Sequence, residues 1–147
     1  MAEFTANAVQ TVPYGQNFIY TEVPVPCRKG YVLHRPGSGI VTLRGNGANT
    51  CCNQRATYNV RFDSNIALSE GATVGEVGVS ITVDGEPLPV STAVITPAAV
   101  GDFWHVSIEA EIAVPSCCCY VVAVENTSTT SQPIDGRNTR LSVHRVA

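Results

Sequence analysis

The stretch "TYNVRFDSNIALSE", residues 57–70, alternates apolar and polar side chains with a period of two. Tyr58, Val60, Phe62, Ile66 and Leu68 fall on one side; Asn59, Arg61, Asp63 and Asn65 fall on the other. Successive side chains of an extended strand point to opposite faces, whereas a helix repeats about every 3.6 residues. This segment is therefore a strand with one dry and one wet face.

Working outward, two more segments show the same pattern. In "EVGVSITVDGEPL", Val77, Val79, Ile81 and Val83 oppose Gly78, Ser80 and Thr82, and Asp84-Gly85 marks a tight hairpin turn. In "FWHVSIEAEIAVP", Val106, Ile108, Ala110, Ile112 and Val114 oppose His105, Ser107, Glu109 and Glu111. The C-terminal "RLSVHRVA" turns Leu141 and Val143 inward and Arg140, Ser142 and His144 outward. "CYVVAVEN" differs, with Tyr120, Val122 and Val124 on one face and Cys119, Val121 and Ala123 on the other. A strand apolar on both faces needs a cover on each. "NFIYTEVPV", "GYVLHR" and "GIVTLRG" are shorter candidates, and "STAVITPAAV" is barred from a helix by Pro97 and its β-branched residues. The total, about nine or ten strands separated by Gly, Pro and Asn turns, predicts an all-β antiparallel sandwich.

The chain has 147 residues, 44% apolar and 14% charged, with a net charge of -3. That length suits a single domain. The charged share lies well below the usual one of about 25%, so part of the surface is expected to be covered by other chains. Nine Lys and Arg give no basic face for phosphates, which argues against nucleic-acid binding. No run approaches the roughly 18 apolar residues of a membrane helix. The opening "MAEFTANAVQTVPYG" lacks the basic and apolar regions of a secretory signal. Folding in a cytoplasm is the resulting expectation, with thiols kept reduced there.

Six cysteines occur: Cys27, Cys51, Cys52, Cys117, Cys118 and Cys119. None has the C-x-x-C spacing of a zinc knuckle or redox dithiol. In a strand, Cys117 and Cys119 would share a face about 7 Å apart, too far for an easy disulfide. Four readings stay open: buried thiols acting as small apolar groups, disulfides within or between chains, a metal site, and a catalytic thiol. The disulfide reading pairs the Cys51/Cys52 turn with the Cys117–Cys119 segment. The catalytic reading lacks a positive neighbour or base in the sequence around these residues. The expected role is compact packing near a subunit boundary, with cross-linking on exposure outside the cell.

Other chemistry is sparse. Asp102, His105 and Ser107 can be grouped on paper, but no G-x-S-x-G elbow is present. Glu109 and Glu111 share a face and read as the wet side of a sheet. His34, His105 and His144 read as strand residues, and Phe62, Phe103 and Trp104 as core. "GSG" and "GNG" are turns rather than phosphate loops, and the sequon at Asn126 has no secretion signal beside it. No catalytic, cofactor-binding or metal residue is assigned.

Several stretches together resemble a group of small proteins encoded in bacteriophages and prophages of gut Firmicutes. They are "TVPYGQNFIYTEVPVPC", "GIVTLRG", "VDGEPLPVSTAVITPAAV", "IAVPSCCCYVVAVENTST" and "LSVHRVA". That group in turn resembles the C1q/TNF-like jelly rolls, β-sandwiches that commonly trimerise. The resemblance implies a non-enzymatic virion component, a capsid decoration or head-fibre protein, with a phage capsid protein as partner and no cofactor. Apart from the resemblance, the opening stretch is short-sided and reads as an extended N-terminal arm over residues 1–16, followed by a single jelly-roll domain over 17–147. Cys119, Val121 and Ala123 are the expected subunit interface. A bacterial or spore surface module that binds glycans is the alternative within the same fold, though the long loops carry no aromatic residue.

Overall fold

The computed structural model describes residues 2–26, 30–35, 37–45 and 55–146. Two antiparallel sheets face each other. The first orders its strands β10(Trp104–Pro115), β6(Arg55–Leu68), β12(Ile134–Arg145), β1(Ala2–Ala6), β3(Glu22–Val25), with β2(Gln10–Val12) beside β12. The second runs β4(Val32–His34), β5(Val41–Arg44), β11(Cys119–Asn126), β7(Val77–Val83), β8(Glu86–Pro87), with β9(Ala93–Ile95) beside β7. Among the described residues the helical content is a single 3-10 turn, Pro89–Ser91. Proline opens that turn, where its missing N–H is no loss.

The alternation at 57–70 lands as the sequence predicts. Tyr58, Val60, Phe62, Ile66 and Leu68 are buried between the sheets, against Val106, Ile108, Ala110 and Ile112 of β10 and Leu141 and Val143 of β12. The second sheet contributes Leu43, Val79, Ile81, Val122 and Val124. Removing these groups from water is the main stabilising term, at about 25 cal/mol per Å² of apolar surface. The β6–β10 ladder runs without interruption from Arg55↔Pro115 to Ile66↔Trp104. The β6–β12 ladder shifts register between Arg137 and Arg140, where Asn138 takes a φ of 53°. The Asp84-Gly85 turn has φ values of 51° and 87°, as a two-residue hairpin of the left-handed kind needs.

Two expectations are corrected. The N-terminal arm over residues 1–16 is not an arm. From Ala2 onward the chain is woven into the first sheet, β1 lying between β12 and β3 and β2 beside β12. Ala2, Phe4, Ala6 and Val12 are core residues, so this segment is held by burial and by hydrogen bonds on both its edges. The wet face expected of β7 is dry as well. Ser80 and Thr82 are buried, and Ser80 Oγ is within hydrogen-bonding distance of Thr92 Oγ1 (2.7 Å) and Thr127 Oγ1 (3.1 Å). Short hydroxyl side chains satisfy one another there, so the face can be covered without an unpaired polar group.

Candidate functional site

The sandwich presents two outer faces and a cysteine turn at one end. The outer face of the first sheet is polar, as its alternation requires. Asp63, on the central strand β6, lies 3.3 Å from Arg61 Nε, 3.9 Å from Arg140 and 3.9 Å from His105 Nε2. Arg140 also reaches Glu3 at 3.6 Å, and Asn59 Nδ2 donates to Glu109 Oε1 at 2.6 Å. The arginines and His105 are about half exposed while Asp63 and Glu3 are largely covered, and each long-range pair contributes about a kcal/mol or less. The paper grouping of Asp102, His105 and Ser107 does not assemble. Asp102 Oδ2 accepts the Trp104 indole N–H at 3.0 Å, while His105 faces Asn65 Oδ1 at 3.4 Å and Asp63.

Trp104 corrects another expectation. It is 47% exposed rather than core. Its parity along β10 points it inward, but it is the first residue of that edge strand. Phe103 is half-buried beneath the Arg137 guanidinium, 4.5 Å from the ring centre. Phe62 is fully buried, as expected.

The outer face of the second sheet is less charged. Val121, Ala123 and Glu125 of β11 join Thr82, Ile40, Gly15, Asn17 and Gly85 around an open depression of about 280 Å³. A second depression of about 600 Å³ continues from Ile40 to Leu33, His34, Arg35, Ser38 and Thr42. Leu33 and Ile40 are each 47% exposed, Val121 is half-buried and Ala123 is buried. Burial pushes the Glu125 carboxyl above the ordinary carboxylate range.

The cysteine expectations divide. Cys27, Cys51 and Cys52 lie outside the described residues. Cys117, Cys118 and Cys119 are exposed and free, not buried as small apolar groups within this chain. Nor do Cys117 and Cys119 share a strand face. The strand begins at Cys119, and Cys117 sits in the preceding turn with a φ of 62°. In the two ladders that flank the turn, Arg44 is the backbone partner of Cys119 and Arg55 that of Pro115. Among the described residues no cluster of three or more His, Cys, Asp or Glu is arranged to hold a metal ion. Among the described residues no helix is long and apolar enough to cross a membrane.

No protein-family model matches the chain, and neither does any curated protein. Solved structures do match. The globular domain of zebrafish complement 1qA superposes with a TM-score of 0.57 at 9% identity, covering 99% of this chain and 96% of that one. The Eiger TNF of S. frugiperda superposes with a TM-score of 0.60 at 12% identity, covering 99% and 91%. The sugar-binding C-terminal domain of EclA aligns over 81% of this chain at a TM-score of 0.37, too loose to carry an argument. At these identities the likeness concerns architecture, and on it the chain is an all-β, two-sheet jelly roll of the C1q/TNF type.

Proposed function

We propose that the chain is a non-enzymatic assembly module, a homotrimer that serves as a capsid decoration or head-fibre protein of a bacteriophage virion. The observation that carries the assembly part is the contrast between its two outer faces. One is a lattice of paired charges around Asp63. The other exposes Leu33 and Ile40, with half-buried Val121, beside exposed Cys119, and has Glu125 and Arg35 at its margins. A chain with only 14% charged residues and an apolar sheet face fits association with further copies of itself. Cys119 and Val121 on β11 are the proposed centre of that contact; Ala123, expected there too, is already buried within the chain. The virion role rests solely on the expectation drawn from the "DGEP" and "VPSCCCYVVAVENTST" segments of the sequence.

Light scattering on the purified chain tests the assembly. Three times the monomer mass is expected, and Val121→Glu is expected to reduce it to monomer with an unchanged circular dichroism spectrum. A monomer at every concentration overturns this reading. The virion role is tested by mass spectrometry of purified particles and by the genes flanking the coding sequence. Capsid and portal genes support it, while spore or cell-wall genes favour the surface-module alternative.

A further inference from the structure

The first sheet ends in β10 and β3, the second in β4 and in β8 with β9. An edge strand presents unpaired N–H and C=O groups to any other chain, and short length, proline or a bulge is the usual defence. β3 has four residues and contains Pro24, β4 and β9 have three each, and β8 has two and ends in Pro87. β10 has none of these defences before its last residue. It runs for 12 residues from Trp104, with no proline until Pro115, and its ladder with β6 contains no bulge. Among the described residues, no backbone hydrogen bond reaches 104–114 from any element but β6.

The side chains of β10 show the same opening. Val106, Ile108, Ala110 and Ile112 keep between 4% and 7% of their surface exposed, whereas Tyr58, Val60 and Phe62 of the adjacent β6 keep none. Trp104 is the extreme of that inner row. On the outer face His105, Ser107, Glu109 and Glu111 are exposed. Glu109 is drawn toward Asn59 of β6, away from the free edge.

A segment that extends this sheet must place apolar residues inward and polar ones outward in step with β10. The same strand of a second copy, run antiparallel, meets that condition. Like charges directly opposite each other destabilise a strand pair and opposite charges stabilise it. Registers centred on Glu109, Ala110 or Glu111 set carboxylates of the two copies face to face. The register centred on Ile108 is the longest that avoids this. It sets His105 opposite Glu111 of the second copy and Ser107 opposite Glu109, each twice by symmetry, and Ile112 opposite exposed Trp104. We propose that β10 is a two-fold contact between copies of this chain in that register, joining the first sheets of two sandwiches into one continuous sheet. A single strand pair buries less than the roughly 1,200 Å² of a standard stable interface, so the contact is weak in dilute solution and forms where copies are crowded. It does not depend on the assembly reading, because it uses neither Cys119 nor Val121 and lies on the other sheet.

The test traps the register. Ser107→Cys and Glu109→Cys are made as separate proteins, each carrying Cys117→Ser, Cys118→Ser and Cys119→Ser to remove the exposed native thiols, and each is checked for folding by circular dichroism. The two are concentrated alone and mixed, oxidised with copper phenanthroline and mapped without reductant. The mixture is expected to give roughly tenfold more of the peptide pair joining position 107 to position 109 than either protein alone gives of its self-linked pair. Equal yields alone and mixed, no linked pair, or linkage to a co-purifying protein instead of the second copy overturns the proposal. The second readout is sedimentation at high concentration in the Val121→Glu chain, where the β11 contact makes no contribution. Ser107→Lys sets a cation against Glu109 of the second copy and is expected to tighten the pair, while Ser107→Glu sets a carboxylate there and is expected to loosen it. The same response to both changes overturns the register.

Discussion

The rings of Tyr20 and His34 lie 6.0 Å apart at 65°, and each carries a buried polar atom, Tyr20 Oη and His34 Nδ1, without a hydrogen-bond partner among the described residues. The Nε2–H of His34 is directed at the Ser38 carbonyl, 2.8 Å away, which leaves Nδ1 as the bare acceptor. Phe4 closes the group at 4.6 Å from His34 and 6.5 Å from Tyr20. Burial pushes the Tyr20 hydroxyl far above the ordinary tyrosine range, so it stays protonated. A buried hydroxyl with no partner costs about 1–3 kcal/mol. Tyr20→Phe is therefore expected to leave stability unchanged or raise it by about 1 kcal/mol in urea unfolding. A loss of that size instead would reveal a partner for the hydroxyl.

Glu125 gives the chain a pH dependence of definite sign. Its carboxyl is raised by burial, so the folded state holds the proton more tightly than the unfolded state. The stability this contributes is fully present below the unfolded value and is lost as pH rises through the folded one. Glu125→Gln removes the penalty on the charged form. The variant is expected to melt higher than the parent at pH 7, with the gap closing below about pH 4. Calorimetry at the two pH values measures this, and a gap that widens on acidification would reverse the sign.

The hairpin turn between β7 and β8 is stitched to β11. Asp84 Oδ1 accepts the Val121 N–H at 2.9 Å, and the Asp84 N–H donates to the Val121 carbonyl at 2.7 Å. Asp84→Ala removes the first bond and places a residue poorly suited to a φ of 51°. A loss of about 1–2 kcal/mol is expected. Asp84→Gly separates the two effects, because glycine accepts the backbone conformation but not the hydrogen bond. It is expected to recover part of the loss, and no recovery would assign the whole cost to the side chain.

Local period carried much of this fold. The inward residues of β6, β10 and β12 and the polar set around Asp63 sit where their alternation puts them, since each strand has one face on a single shared core. What failed depended on partners distant in sequence. "AEFTA" alternates strictly, yet its small residues read as an arm until β12 and β3 are seen on either side of it. Trp104 has inward parity, but no local pattern tells that it opens an edge strand. The dry outer face of β7 depends on Thr92 and Thr127 arriving from elsewhere in the chain. For the cysteine turn, the composition was visible and the exposure was not. The arginines flanking it come from strands far away in sequence.

Gly136 and Phe18 supply the sharpest test of the packing between the strands. Gly136 lies in β12 opposite Ile66, and a Cβ built on it would meet the Phe18 ring at 2.6 Å. Phe18 is fully buried and packs against Phe62 with ring centres 5.0 Å apart and planes tilted by 54°, so the ring has little room to retreat. Gly136→Ala is thus expected to destabilise by about 1–3 kcal/mol, the usual cost of overpacking, despite alanine's lower backbone entropy cost. Phe18→Leu alone costs the packing of its ring. If the clash is the cause, the two changes together cost less than their sum, by about 1 kcal/mol in a double-mutant cycle. Strict additivity would place the effect of Gly136 in the backbone of β12 instead.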